Sequence, residues 1–539
     1  MLKKFIQIEE IVLFIEHSSE EIKNKIIDIL NIDSERIKNY EIIKRAIDSR
    51  NKKKINFVYS VHVFMDNPEE VVESLEKSDV YKISRHRVKL VEEYNYKIEP
   101  IKTKKVSRPI IIGSGPSGLF MALLLARSGI KPLIIERGAK VDDRIKDVQK
   151  FFKSGELNLE SNIQFGEGGA GTFSDGKLYT LISNSRMKYV FDEFIKAGAP
   201  AEIAWEAKAH IGTDKLREIV KNIREEIISL GGKILFNTKL TDLKVENQKI
   251  KSIIVNDGKE ILTDRLILAI GHSARDTYQM LFDRQIKMEA KTFSMGLRIE
   301  HSAEAINRAQ YGKFYNHPSL GVARYKLVAH FPEGRSVYTF CMCPGGQVVG
   351  ASSEKERLVT NGMSEYAQDK VNSNSALLVN VGPEDFESDH PLAGVEFQRH
   401  WEAQAFAAGG GNYHAPVQLV GDFLENKAST GIKKIKPSYQ PGIKATSLNN
   451  CLPDYIISSI RKALPILENK IQGFATSDAV LTGIETRSSA PLRIIRDEKF
   501  QTNIQGIYPI GEGAGYAGGI ISSALDGIIV AEEIINELK

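Results

Sequence analysis

The sequence predicts an α/β fold in three parts, and three observations lead to this prediction. Residues 1–98 alternate between β-branched apolar runs and helical segments, which is typical of a small α+β unit. Residues 108–136 have the order strand, glycine-rich turn, helix and strand, the pattern of a Rossmann-like βαβ unit. Residues 506–524 contain a further glycine-rich turn that leads into an apolar helix. We therefore expect a Rossmann-like domain that follows an α+β domain and is completed by the C-terminal end of the chain.

Composition and charge limit the function classes. Of 539 residues, 42% are hydrophobic and 26% are charged, which is ordinary for a soluble globular chain. The net charge of +4 gives no reason to expect a nucleic-acid partner. Three cysteines, Cys341, Cys343 and Cys451, argue against a disulfide scaffold and fit a reducing compartment. Since no apolar run approaches the roughly 18 residues that span a bilayer, we expect a cytoplasmic protein with no membrane partner.

The N-terminal part, residues 1–98, has strand and helix signals of its own. Residues 11–15 and 55–65 are rich in apolar, β-branched and aromatic side chains and predict strands. Ser18, which acidic residues follow, and Pro68, which follows an asparagine, mark the starts of two helices. The order strand, helix, strands, helix predicts a ferredoxin-like α+β domain.

The turn of the βαβ unit has the spacing Gly113-x-Gly115-x-x-Gly118. In this pattern Gly113 permits a tight turn, Gly115 lets a pyrophosphate approach the backbone, and Gly118 lets helix and strand pack closely. The N–H groups at the helix N-terminus then face the phosphates. Glu136 ends the second strand, where a carboxylate accepts hydrogen bonds from an adenosine ribose. No Gly-Lys-Ser/Thr follows, so a P-loop is excluded and a dinucleotide, FAD or NAD, is predicted.

Further segments favour FAD over NAD. Residues 162–178 are glycine-rich, residues 266–271 form a strand followed by glycine, and residues 506–524 contain Glu512. These stretches resemble the segments that FAD proteins of the glutathione-reductase superfamily place against the dinucleotide. In the closing motif of that superfamily an acid, usually Asp, binds the ribityl hydroxyls; Glu512 stands in its place here. Because the first and last segments must meet one ligand, we expect the chain between them to form an inserted domain.

The predicted domains follow from this arrangement. They are an N-terminal α+β domain (1–98), a linker (99–105), an FAD-binding domain (107–290 and 476–539) and an inserted antiparallel-sheet substrate or cap domain (291–475). The predicted FAD contacts are Gly113, Ser114, Gly115, Pro116, Ser117, Gly118, Glu136, Arg137, Gly168, Gly169, Ala170, Gly171, Thr172, Asp175, Gly176, Lys177, Gly271, Gly511, Glu512, Gly518, Gly519 and Ile520.

The sequence resembles a family of bacterial FAD-dependent dehydrogenases, the NAD(FAD)-utilizing dehydrogenases. The stretches that carry the resemblance are residues 165–178, 271–277, 340–346 and 482–487, together with the C-terminal motif. The resemblance covers nearly the whole chain. It implies FAD as cofactor and a dehydrogenase or reductase that passes hydride or electrons through the flavin, with a small molecule or a redox protein as partner.

The group that exchanges electrons with the flavin is open at this stage. Dithiol reductases carry a cysteine pair soon after the first glycine-rich helix, but residues 150–180 contain no cysteine, which argues against that design. No second Gly-x-Gly-x-x-Gly follows a strand, so NAD(P)H is expected only as a transient donor. Two alternatives are an RNA-associated flavoprotein that binds RNA through residues 1–98 and a flavin-based redox sensor without turnover.

Four residues are candidates for catalysis, and each has a structural alternative. His272 suits a general acid or base, or a histidine bonded to nearby backbone. Lys177 and Arg487 suit an anionic substrate or the flavin, or plain salt bridges. Cys341 and Cys343 lie on a predicted strand, whose alternation points both thiols to one face and Cys341 to the core. We expect Cys343 near the substrate pocket, with structural packing as the alternative. No metal site is predicted, because no second cysteine pair exists.

Overall fold

The computed structural model describes residues 3–77, 87–93, 96–98, 100–101, 107–180, 182–256 and 258–539. The basic residues Arg85 and His86 and most of the linker expected over 99–105 lie outside the described residues. None of the described helices is long and apolar enough to cross a membrane.

The N-terminal part forms a four-stranded antiparallel sheet with the order β2-β3-β1-β4. The helix after β1 begins at Ser19 as predicted, because Ser18 and Glu21 form a capping box that satisfies two N-terminal N–H groups. Apolar residues of this helix and of β1 and β3 share one core. The elements are β1 (Lys4–Phe14), α1 (Ser19–Leu30), β2 (Asn39–Asp48), β3 (Asn56–Phe64), α2 (Pro68–Glu76) and β4 (Arg87–Glu92).

The next part begins with the predicted strand, glycine-rich turn, helix and strand. A three-stranded antiparallel ribbon, β10-β9-β8, follows the first strands. The elements are β5 (Ile110–Ile112), α3 (Pro116–Arg127), β6 (Leu133–Ile135), α4 (Val141–Ser154), α5 (Met187–Lys196), α6 (Thr213–Ser229), β7 (Lys233–Leu235), β8 (Leu240–Glu246), β9 (Lys249–Val255), β10 (Lys259–Leu262), β11 (Leu266–Leu268) and α7 (Arg275–Asp283).

The remaining elements supply a second large sheet and then return to the first one. They are β12 (Met288–Ala290), β13 (Phe293–Ser302), α8 (Ala303–Tyr311), β14 (Val328–Ala329), β15 (Val337–Cys343), β16 (Gln347–Gly350), β17 (Thr360–Met363), β18 (Asn372–Val381), α9 (Ala393–Ala408), β19 (Ala415–Leu419), α10 (Val420–Leu424), β20 (Ile443–Ala445), α11 (Asp454–Lys470), β21 (Val480–Glu485), β22 (Leu492–Ile494), β23 (Ile507–Pro509) and α12 (Ile520–Leu538).

Two sheets position the site. The first is parallel, with the order β23-β11-β5-β6-β7, so a strand from the C-terminal end joins strands from the middle of the chain. The second has the order β14-β15-β18-β13-β21-β19-β20 and is antiparallel apart from the β19–β20 pair. β21 lies in this second sheet, although the boundary expected at residue 475 assigns it to the closing part. Its apolar pattern predicts a buried strand but carries no information on which sheet it joins.

Helices α3 and α12 pack against each other beside the parallel sheet. Nearly every residue of α3 is buried, and α3 and α12 pack so closely that a Cβ at Gly527 would lie 2.3 Å from the carbonyl oxygen of Ser117. Both helices begin at the same end of the sheet, where β5, β11 and β23 have their carboxyl ends. The fold therefore brings the first and the last glycine-rich segments of the chain together.

Candidate FAD site

A cleft lies at the carboxyl ends of β5, β6 and β11, between the N-termini of α3 and α12 and residues of the seven-stranded sheet. This edge of a parallel sheet is where α/β proteins bind nucleotides. The predicted FAD contacts that line the cleft are Gly113, Ser114, Gly115, Pro116, Ser117, Glu136, Arg137, Gly169, Ala170, Gly171, Gly271, Glu512, Gly518, Gly519 and Ile520.

Some predicted residues do not line the cleft. Among the catalytic candidates, His272 and Arg487 line it, whereas Lys177 and Cys343 do not. The predicted FAD contacts outside the lining, besides Lys177, are Gly118, Gly168, Thr172, Asp175, Gly176 and Gly511.

Each glycine of the β5–α3 turn meets a different steric condition. Gly113 has φ +103°, and a Cβ there would lie 2.2 Å from the carbonyl oxygen of Ala269. A Cβ at Gly118 would lie 2.2 Å from the carbonyl oxygen of Gly113, so this residue sets the close packing of α3 against the turn. At Gly115 the nearest atom is the Cα of Gly169 at 3.9 Å. Because Gly115 has little protein beside it, its open side faces the cleft.

The glycine-rich segments contact one another around the cleft. A Cβ at Gly169 would lie 3.0 Å from the Cα of Gly115. A Cβ at Gly513 would lie 2.5 Å from the backbone nitrogen of Gly271, which follows β11. Four segments that are far apart in the sequence are thereby packed backbone to backbone, and larger side chains would separate them.

Two helix N-termini open into the cleft. α3 starts after Gly115 without a side-chain cap, and α12 starts after Gly519. The exposed N–H groups and the positive end of each helix dipole stabilise anions at such a position. An FAD molecule carries a pyrophosphate and a flavin ring that bears negative charge when reduced, and the two N-termini fit these groups.

Glu136 lines the cleft but is already held by the protein. Its carboxylate accepts hydrogen bonds from the backbone and hydroxyl of Ser114 and from the backbone nitrogens of Gly138 and Gly166, at 2.7–3.0 Å. Glu136 therefore joins the first and second glycine-rich segments. Each of its two oxygens accepts two of these hydrogen bonds, which uses all four lone-pair sites of the carboxylate.

Glu512 is less well satisfied. Among the described residues its carboxylate accepts no hydrogen bond, and the basic side chain nearest to it is that of His272, with Nε2 3.9 Å from Oε1. Burial raises the pKa of Glu512 to about 7. Burial, with Arg487 and Arg275 adding to it, lowers the pKa of His272 to about 3. His272 is therefore neutral at neutral pH, and Glu512 presents an unsatisfied acceptor that ribityl hydroxyls fit.

Arg487 belongs to a buried ionic network. Its guanidinium donates to the carboxylate of Glu402 at 2.9 and 3.1 Å, and Arg275 donates to the same carboxylate at 2.7 and 2.8 Å. Glu402 is fully buried, and although burial opposes ionisation, the two arginines hold its pKa far below the ordinary value. Arg487 also donates to Ser273 and Ser353. Arg487 therefore forms the salt bridges that its structural alternative predicted, and it also lines the cleft.

Lys177 and the two cysteines form a cluster beside the cleft. The Nζ of Lys177 lies 3.7 Å from the Sγ of Cys341, 3.8 Å from the Sγ of Cys343 and 3.2 Å from a carboxylate oxygen of Asp175. The expectation that Cys341 points to the core is wrong, and Cys343, which is expected near the pocket, lies behind Cys341 without lining the cleft. Cys341 lines the cleft and is partly exposed, whereas Cys343 is fully buried. The physical reason is a β-bulge between Phe340 and Cys343, which breaks the alternation of β15.

Several lining residues were missed by the sequence analysis. Phe165 stacks under the guanidinium of Arg137, with 4.0 Å between the cation and the ring centre, and its glycine-rich context was the available signal. Gln164, Gly166 and Ser174 belong to the same glycine-rich segment as Phe165. Further lining residues come from strands and loops distant in the chain, among them Thr238, Lys239, Leu240, Ser273, Thr277, Phe340, Cys341, Asn361, Glu485, Ser488 and Ser523.

Comparison with known families gives three matches along the chain. Residues 107–146 match a family described as FAD binding domain, and residues 292–488 match one described as FAD-dependent protein, C-terminal domain-like. Residues 5–64 match a domain of unknown function. A Clostridium beijerinckii protein described as uncharacterized is 51% identical over 534 residues, which is 99% of each chain. The chain belongs to the family of this clostridial protein.

Solved structures with similarity to this family member share little sequence with it. L-proline dehydrogenase from P. horikoshii is 14% identical, with a TM-score of 0.34 over 80% of this chain and 94% of that chain. CtdE, solved in complex with FAD, is also 14% identical, with a TM-score of 0.32 over 80% of this chain and 86% of that chain.

FAD is the cofactor of this protein. The FAD-binding match covers β5, the glycine-rich turn, α3 and β6, which are the elements that build one side of the cleft. The second match spans the seven-stranded sheet, which lies across from them. The prediction of FAD is confirmed.

Proposed function

We propose that the protein is an FAD-dependent oxidoreductase whose substrate binds between the flavin and the seven-stranded sheet. The observation that carries the proposal is the composition of the cleft. One side consists of glycine-rich backbone and two helix N-termini. The other side presents functional side chains: Cys341 on β15 of the seven-stranded sheet, Asn361 on β17 and Arg487 just after β21. When bound, FAD supplies two-electron redox chemistry.

The roles of the chain's residues follow from their positions. The N-terminus of α3, with Gly115, would bind the pyrophosphate. Glu136 would fix the glycine-rich backbone against which the adenosine ribose lies. Glu512 accepts hydrogen bonds from the ribityl chain, and the N-terminus of α12 stabilises negative charge on the ring system. A carboxyl group with a pKa of about 7 beside neutral His272 also holds or releases a proton near neutral pH.

Three finer assignments belong to the same proposal. The chain is an NAD(FAD)-utilizing dehydrogenase of the glutathione-reductase type, with the domains predicted from its sequence except that β21 belongs to the inserted domain. NAD(P)H or another donor supplies electrons transiently. The N-terminal part is a ferredoxin-like domain, supported by its β-α-β-β-α-β order and the sheet order β2-β3-β1-β4. Neither an RNA-associated role nor a sensor role is favoured by the family matches.

The test is anaerobic mixing of the FAD-loaded protein with NADH or NADPH, followed by an electron acceptor such as a quinone. We expect the visible flavin absorbance to bleach with the donor, to return with the acceptor, and the donor to be consumed continuously when both are present. Gly115→Ala, which we expect to bind FAD weakly, is the control for catalysis by free flavin. Stoichiometrically bound FAD that no donor and acceptor pair turns over would contradict the proposal.

A further inference from the structure

The β-bulge in β15 gives its two cysteines different environments. β15 pairs with β18 up to Phe340, after which the register shifts so that Cys343 faces Asn374. Cys341, inside the bulge, has φ +43°, a conformation that residues other than glycine rarely adopt. The bulge exposes Cys341 to the FAD cleft and leaves Cys343 fully buried behind it. Such bulges often re-aim a side chain next to an active site.

Two cationic side chains with little solvent exposure lie beside the thiol pair. Lys177 contacts both sulfurs, at 3.7 and 3.8 Å. Arg298, which is fully buried on β13, lies 3.5 Å from the Sγ of Cys343 and donates a 2.6 Å hydrogen bond to the backbone oxygen of Cys341. Cations beside a thiol favour its thiolate, which is the nucleophilic form.

We propose that Cys341 and Cys343 form a redox-active dithiol at the edge of the FAD cleft, and that it reduces a disulfide substrate. Cys341 is the attacking thiolate, because it lines the cleft, and Cys343 is the buried resolving thiol. This dithiol adds a second redox group to the proposed function, and its chemistry is measured separately from that of the flavin.

The proposed reaction has two steps. The Cys341 thiolate attacks one sulfur of a disulfide, forms a mixed disulfide and releases the other half as a thiolate. Cys343 then loses its proton to solvent, attacks the Sγ of Cys341 and releases the second half as a thiolate. The dithiol loses two electrons to the substrate disulfide and becomes a Cys341–Cys343 disulfide. With one residue between the cysteines this disulfide is strained. The dithiol therefore reduces only substrate disulfides that are more oxidising than its own disulfide, such as aromatic disulfides, and its own disulfide is easily reduced again.

The charges around the pair agree with these roles. The hydrogen bond from Cys343, together with Lys177 and Arg298, holds the pKa of the Cys341 thiol well below its ordinary value, while burial raises the pKa of Cys343. Among the described residues, the other titratable groups that face the cluster are Asp175, Tyr179, Tyr325, Glu485 and Glu512. Cys451 is a comparator within the same chain, because burial alone raises its pKa to about 12.

The test uses the FAD-loaded protein and a dithiobis-nitrobenzoate reagent, an aromatic disulfide whose released thiolate is coloured. We expect two coloured thiolates per wild-type chain and, by mass spectrometry, a product two hydrogens lighter than the starting protein. Cys343→Ser should release one thiolate and keep a stable mixed disulfide. Cys341→Ser should react at the slow rate of a buried thiol. Cys451→Ser should behave like the wild type.

The pH dependence of the first step gives a second readout in the wild-type chain. The rate of Cys341 modification should reach half of its maximum well below pH 8.5, roughly the value for a free thiol. Lys177→Met should move that midpoint upward. Release of a single thiolate with a persistent mixed disulfide on the wild type would overturn the dithiol. A Cys341 that reacts as slowly as Cys451 would overturn the proposal that Cys341 is the attacking thiolate. Both results are independent of whether bound FAD accepts electrons from NAD(P)H.

Discussion

Two alanine substitutions in the β5–α3 turn separate cofactor binding from folding. At Gly115 the backbone has φ −71°, which any residue adopts, and the nearest atom to a new Cβ is 3.9 Å away. We therefore expect Gly115→Ala to change the stability of the apoprotein by no more than about 0.5 kcal/mol. At Gly118 the new Cβ would lie 2.2 Å from the carbonyl oxygen of Gly113. Because α3 must shift to relieve this clash, Gly118→Ala should cost about 1–3 kcal/mol.

For FAD binding, Gly115→Ala is the substitution with the direct effect. The methyl group of Gly115→Ala projects into the cleft, where the pyrophosphate must approach the backbone N–H groups of α3. Loss of one hydrogen bond to a charged group removes about 1.5–3 kcal/mol of binding free energy. Since each 1.4 kcal/mol is about a factor of ten in Kd, the expected weakening is roughly 10- to 150-fold.

The assay pairs thermal unfolding of the apoproteins, followed by circular dichroism, with FAD titration followed by flavin fluorescence. Gly115→Ala should unfold with the wild type and bind FAD weakly, whereas Gly118→Ala should unfold at a lower temperature. Wild-type FAD affinity in Gly115→Ala would refute the placement of the pyrophosphate. An apoprotein of Gly115→Ala as unstable as that of Gly118→Ala would refute the steric reasoning.

Three further predictions concern the carboxylates and a helix cap. The pKa of Glu512 is about 7 in the folded state, against an ordinary value of 4.5, so apoprotein stability should fall as the pH rises from 4.5 to 7, by up to about 3 kcal/mol. Glu512→Gln should abolish this fall in thermal unfolding, and an unchanged pH profile would contradict the prediction. Glu402→Gln leaves two buried arginines, Arg275 and Arg487, with Glu354 as their remaining carboxylate partner, and should cost about 3–5 kcal/mol in denaturant unfolding. Exposed Glu396→Gln on the same helix is a neutral control, and equal effects of the two substitutions would argue against the network. Ser18→Ala removes one half of a capping box and should cost about 1 kcal/mol in the N-terminal unit, measured by hydrogen exchange of α1, and unchanged protection would contradict it.

The elements around the glycine-rich turn were predictable because local sequence determines them. The spacing of Gly113, Gly115 and Gly118 corresponds to three separate steric conditions in the structure, and the order predicted over residues 108–136 agrees with β5, α3 and β6. The cap at Ser18 and the strand over β15 were also predicted from residue types. The cap and the packing of Gly118 depend on contacts within a few residues of the chain, whereas the contact between Gly113 and Ala269 was indicated only through the glycine spacing.

The opposite side of the cleft could not be predicted in the same way. Cys341 faces the cleft because of a bulge in β15, and no residue of that strand marks a bulge in the sequence. Arg487 and Arg275 are held by Glu402 on α9, which is far from both in the sequence. Pairing across such distances depends on sheet order and strand register, which periodicity does not contain.

The most direct test of the FAD site is calorimetric titration of the apoprotein with FAD, FMN and ADP. The structure predicts one FAD per chain and much weaker binding of FMN and ADP, because each of these contacts only part of the cleft between Glu136 and Glu512. It also predicts that Glu512→Gln weakens FMN and FAD but leaves ADP unchanged. Failure of the apoprotein to bind FAD, or equal affinity for FAD and FMN, would contradict the account.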